Sequence, residues 1–128
     1  MTAPVGWAGL AAIGVGAVLG AWLRFALGLA LNRALPGLPL GTLVANVAGG
    51  LMIGAVVAWL GRHPELSPLW RLFMVTGFLG ALTTFSTFSV ESLALIQRGD
   101  FGWALLHTAL HLFGALAAAA LGFRLAAA

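Results

Sequence analysis

The sequence carries four apolar runs, each as long as or longer than the ~20 residues a helix needs to cross a bilayer. They lie at about 5–31, 40–60, 70–97 and 101–124. Asn32-Arg33 and the Pro36-Gly37-Leu38-Pro39 turn close the first, a polar two-proline segment from Gly61 to Pro68 separates the second from the third, and Arg98-Gly99-Asp100 turns the third into the fourth. A lipid-exposed backbone must pair its own polar groups, so four such runs predict an all-α membrane protein of four transmembrane helices. At ~20 residues per crossing, four helices take ~80 of the 128 residues, and one domain, 1–128, accounts for the chain.

Charge is as restrictive as length. With 62% hydrophobic and 7% charged residues, the chain cannot clothe a soluble surface. The six cationic side chains are all arginine and are scattered (Arg24, Arg33, Arg62, Arg71, Arg98, Arg124), so no basic block exists to hold nucleic acid or an acidic lipid patch. The absence of cysteine excludes disulfides and thiolate metal sites. Met1 to Pro4 lack the positive region of a cleaved signal, and the first apolar run reads as a span. Arg62, Arg71 and Arg124 fall on the face that holds both termini, with Arg33 and Arg98, joined by Arg24 if it snorkels, on the other. That count gives no orientation bias. It is compatible with insertion in both directions and an antiparallel homodimer, and equally with a count too small to fix topology. Gly16 to Gly20 and Gly50 to Gly54 are small-xxx-small segments that allow close helix approach.

Inside a bilayer the informative residues are the polar ones at depth. The second run holds Thr42 and Asn46, four residues apart on one face, where Asn46 can glue helices or line an aqueous path. The third run contains Gly77-Phe78-Leu79-Gly80-Ala81-Leu82-Thr83-Thr84-Phe85-Ser86-Thr87-Phe88-Ser89. Five hydroxyl residues in seven after Gly-x-x-Gly make a poor continuous helix and predict a break near Gly80 to Thr83, where freed carbonyls can bind a cation. Beyond it Phe85 and Phe88 share a face, with Glu91 one turn further on. In the fourth run His107 and His111 are four apart; they can chelate a metal, but no third ligand is evident beyond Glu91, and a hydrogen-bonding or vestibule role is preferred. Neutral donors with one Arg and one Glu suit a small anion, and no catalytic set is visible, so the chain does not read as an enzyme.

The motifs Gly16-x-x-x-Gly20-x-x-x-Arg24, Gly41-Thr42-Leu43-x-x-Asn46-x-x-Gly49 and Gly77-Phe78-x-Gly80-x-x-Thr83-Thr84-Phe85-Ser86-Thr87-Phe88 resemble those of the Fluc (CrcB) fluoride channels, over essentially the whole chain. The resemblance implies a dual-topology antiparallel homodimer in the bacterial inner membrane. It would export fluoride passively through two pores around a structural Na⁺ held by the Gly80 and Thr83 carbonyls of both copies. It also implies that Asn46 donates to fluoride, that Phe85 and Phe88 present ring edges, and that Thr42, Ser86 and Thr87 belong to the polar track. Arg24 would sit at a vestibule and Glu91 near the pore end. A helix 4 tyrosine frequent in such channels has no counterpart here, and His107 falls in that neighbourhood, where a group with an ordinary pKa of about 6.5 would make conduction pH-sensitive. The alternatives are a small four-helix multidrug exporter, disfavoured because the first run holds no acid for proton coupling, and a non-transporting assembly subunit.

Overall fold

The computed structural model describes residues 5–128; residues 1–4, read above for the lack of a signal, lie outside the described residues. Four helices are long and apolar enough to cross a membrane: α1 (Trp7–Leu31), α2 (Leu40–Arg62), α3 (Pro68–Gln97) and α4 (Phe101–Ala127). α3 begins two residues before the apolar run because Pro68 suits a first helical turn and Ser67 caps it, its Oγ accepting from the Leu69 N–H at 3.3 Å. The α1–α2 turn is tied down by Asn32, whose Oδ1 accepts from the Thr42 N–H at 3.1 Å and so satisfies an otherwise orphaned amide of the first turn of α2. Gly99, at φ +79°, ends α3, with Asp100 N–H bonded to the Leu95 carbonyl at 2.9 Å and Gly99 N–H to that of Ile96 at 3.0 Å. In the polar loop before α3, the Glu65 carboxyl is held below its ordinary value by its own backbone N–H and by His63, 3.0 Å away.

α1 lies along the first half of α3, and α2 along the second half of α4. Both contacts are made through glycine. A Cβ on Gly77 would stand 2.6 Å from the Ile13 carbonyl oxygen, and one on Gly50 would stand 2.6 Å from that of Ala115. The two small-xxx-small segments therefore each face a neighbouring backbone, the approach that helix association in lipid requires. Outward, large apolar side chains such as Trp22, Phe25, Leu29, Leu105 and Leu116 are exposed, a surface for hydrocarbon. Inward, the fully buried large side chains among the described residues are Leu82, Leu95 and His107, with Thr42 and His111 also buried. The interior thus holds polar side chains among its apolar ones.

Neither α3 nor α4 is regular. Leu72–Leu79 and Leu110–Gly114 are π-helical, and after the single α-turn Gly80–Leu82 both Thr83 (φ −83°, ψ 151°) and Thr84 (φ −150°, ψ 121°) are extended before helix resumes at Phe85–Gln97.

Gly50→Val is expected to lower stability by about 1–3 kcal/mol, since the α2–α4 contact must open to admit the side chain. Gly61→Ala, where a Cβ meets nothing within 4 Å, is expected to leave stability unchanged or slightly raised. Thermal unfolding in detergent micelles distinguishes the two outcomes.

Candidate functional site

Two extended residues in the middle of a span expose peptide groups that the helix no longer pairs, and the site is built around their repair. Asn46, on α2, turns its amide toward Thr84: Oδ1 accepts from the Thr84 N–H at 2.7 Å and Nδ2 donates to the Thr84 carbonyl at 2.9 Å. The amide thus mimics a neighbouring strand, and this double contact fixes which way it points. Arg24, on α1, donates from Nε to the Ala81 carbonyl at 3.0 Å. Thr83 Oγ1 donates back to the Leu79 carbonyl at 2.8 Å, and Thr84 Oγ1 caps the resumed helix by accepting from the Thr87 N–H at 3.1 Å.

These repairs release two carbonyls. The N–H groups that would serve Gly80 and Thr83 in a continuous helix belong to Thr84 and Thr87, and both are taken by side chains. Gly80 and Thr83 both line a cavity of ≈ 490 Å³, together with Asn46, Gly49, Gly50, Phe85, Phe88 and His111. Carbonyl oxygens at such a place are the ligand type a hard monovalent cation takes.

Phe85 and Phe88 follow, centroids 5.4 Å apart; Phe85 is 79% exposed, and Phe88 lies over the histidines, stacked on His107 at 5.2 Å and tilted to His111 at 4.7 Å. His107 is sealed in a polar chain. Its Nε2 is 3.1 Å from Glu91 Oε2 and its Nδ1 2.9 Å from Ser92 Oγ, while Thr42 Oγ1 donates to Glu91 Oε1. His111 Nδ1 accepts from Asn46 Nδ2 at 2.9 Å, and its Nε2 is buried without a partner. Glu91, His107 and His111 thereby offer ligand atoms all within 4.8 Å of one another. A second cavity of ≈ 660 Å³ is lined by Arg24, Arg33, Asn32, Gly28, Thr42 and Thr87.

The candidate residues therefore fall into three places. Asn46, Gly80, Thr83, Phe85 and Phe88 share the first cavity, Arg24, Thr42 and Thr87 the second, and Glu91 and His107 a buried polar chain between α2, α3 and α4. Ser86 stays exposed, with its Oγ 3.3 Å from Thr84 Oγ1. Asn46 spends both amide hydrogens inside the chain, on Thr84 and His111, so in this state it braces the backbone rather than offering a free donor. Sequence reasoning passed over Ser92, and it named Glu91 as the only candidate acid for the two histidines without bringing α3 and α4 together. The signal available was the four-residue spacing of the histidines opposite a Glu-Ser pair.

Fold and site together define a class: a small four-helix membrane protein with an unwound, polar centre. The chain belongs to the CrcB family, for residues 11–123 match the family described as CrcB-like protein, Camphor Resistance (CrcB). It is 55% identical over 112 residues, 88% of this chain and 86% of the relative, to a protein of Aromatoleum aromaticum named Fluoride-specific ion channel FluC. Proteins of the same name from Cupriavidus pinatubonensis (56% over 114 residues; 89% of this chain, 90% of the relative) and Pseudomonas syringae pv. maculicola (55% over 113 residues; 88% and 89%) are similarly close. With four spans and relatives of this kind, it is a multi-pass bacterial membrane protein.

Thr84→Val keeps the shape of residue 84 but leaves the Thr87 N–H uncapped, an expected loss of about 0.5–2 kcal/mol of stability. Thr87→Val, which retains the N–H–Oγ1 bond, is the control, and equal melting temperatures for the two variants would contradict the capping role.

Proposed function

We propose that this chain is a fluoride-selective channel that lets fluoride leave the cell passively, working as an antiparallel, dual-topology homodimer with two pores. The observation that carries the reading is the extended Thr83-Thr84 pair, braced by Asn46 beside Phe85 and Phe88, in a chain more than half identical to proteins named fluoride-specific ion channels. Two copies are supported by the exposure of Phe85 and by the position of Gly80 and Thr83 on an open cavity wall, where one chain offers a cation too few oxygens. A structural Na⁺ fits the released carbonyls of Gly80 and Thr83, and when bound it supplies fixed positive charge at the centre of the assembly.

On this reading the Arg24 and Arg33 cavity draws anions in, with Thr87 offering a hydroxyl, while Thr42, also on its wall, spends its own on Glu91. Phe85 and Phe88 then meet the ion with the positive edges of their rings, and Ser86 lies in the track between. Neutral donors replace the hydration shell without holding the ion as a ring of arginines would. Asn46 serves the route first as the brace that keeps Thr84 extended. The buried His107 and Glu91 flank the route through Phe88. No acid stands in α1 to couple a proton to cation export.

Liposomes containing only this protein are expected to release fluoride and retain chloride, read with ion-selective electrodes. Equal passage of both, or of neither, contradicts the assignment. Arg33→Gln is expected to slow fluoride several-fold at about 10 mM salt and to approach wild type near 150 mM, as the Debye length contracts from ~30 to ~8 Å. A salt-independent deficit would place Arg33 outside the entry.

A further inference from the structure

The buried cluster of Glu91, His107 and His111 is larger than the anion route needs. A carboxylate and two imidazoles lie within 4.8 Å of one another, two of the three residues are buried, and the third is half-buried. Zinc takes imidazole nitrogen at ~2.0–2.1 Å and carboxylate oxygen at ~2.0–2.2 Å, and sites with three protein ligands keep a fourth position open. Ligands on a common ion stand ~3–3.5 Å apart by that geometry, and His107 Nε2 and Glu91 Oε2 are already at 3.1 Å.

The groups around the cluster are those that orient metal ligands. Ser92 Oγ lies 2.9 Å from His107 Nδ1, on the side of the ring away from Glu91, and Thr42 holds the second carboxylate oxygen. The independent observation is His111. The Asn46 amide, oriented by Thr84, presents only an N–H to His111 Nδ1, leaving Nε2 as the ring atom with no partner although the residue is 95% buried, 5% being exposed. A buried ring N–H with no partner is costly in a membrane, and the ring that carries it belongs to this cluster.

We propose that Glu91, His107 and His111 form a binding site for a divalent transition ion of zinc's class, and that its occupancy blocks the fluoride route; the second clause rests on the function proposed above. The ion takes His107 through Nε2, with that ring's proton on Nδ1 toward Ser92, together with a Glu91 oxygen and one ring nitrogen of His111. Whether His111 binds through Nδ1 itself or through Nε2 with the ring proton on Nδ1, the Nδ1 lone pair is withdrawn from Asn46 Nδ2, so the ion and the Asn46–His111 bond exclude one another. Occupancy thus acts on the route twice, through Phe88 stacked on His107 and through the amide that braces Thr84.

The test is zinc chloride titrated by equilibrium dialysis into the purified chain without a polyhistidine tag, followed by fluoride efflux with and without zinc. One saturable site per chain is expected, weakened at least about tenfold by His107→Gln, His111→Gln or Glu91→Gln, about tenfold by Ser92→Ala, and unchanged by His63→Gln in the exposed loop. X-ray absorption of the zinc-loaded wild type keeps the proposal testable if a variant fails to fold: two imidazoles and a carboxylate are expected. No saturable binding, a spectrum with one imidazole or none, or binding lost in His63→Gln overturns the site. Binding with unaltered fluoride efflux overturns the block. A chain that binds zinc as described but never conducts fluoride leaves the site standing and contradicts the function instead.

Discussion

Hydrocarbon offers no partner to a bare peptide group, and this molecule depends on how it meets that constraint where α3 unwinds. Thr83 and Thr84 leave the helix in mid-span, and two other elements and α3 itself answer for them: α2 through Asn46, α1 through Arg24, and α3 through the hydroxyls of Thr83 and Thr84. Each unmade bond would cost about 1–3 kcal/mol, so the side chains that make them are as structural as any core leucine. The exchange leaves the carbonyls of Gly80 and Thr83 without their helical donors, since the N–H groups of Thr84 and Thr87 go to side chains.

The same constraint explains the polar contacts in the interior. Lipid attracts the apolar side chains as well as the protein does, so helices associate through backbone approach at Gly16, Gly50, Gly54 and Gly77 and through buried polar contacts. The Thr42, Glu91, His107 and Ser92 chain joins α2, α3 and α4 by hydrogen bonds in which each side chain has a partner, the condition under which such a network rigidifies rather than weakens a core. The π-helical turns of α3 and α4 lie along the same interior, where they rotate the helix faces that carry these groups.

Much of this was legible in the sequence because a membrane reduces the number of possible answers. The four spans follow from run length, and the hydroxyl cluster after Gly77 and Gly80 marks the stretch where Thr83 and Thr84 take extended angles. What the sequence could not show is partnership between helices. Asn46 was legible as a buried amide, but that both of its hydrogens are spent on Thr84 and His111 depends on the register of α2 against α3 and α4. Glu91 was legible as the one acid for the histidine pair, but that its carboxylate lies within reach of both rings depends on the packing of α3 against α4. Spacing along one helix is readable from sequence; coincidence between residues 38 or 65 positions apart on different helices is not.

The central claim is that the Asn46 amide holds the unwound segment in place. Backbone amide exchange at Thr84, followed by NMR in detergent micelles for wild type and Asn46→Leu, tests it most directly. Losing a bond worth about 1–3 kcal/mol should accelerate exchange at Thr84 by roughly 5- to 150-fold while amides in the middle of α1 are unaffected. Equal exchange at Thr84 in the two proteins would contradict the account.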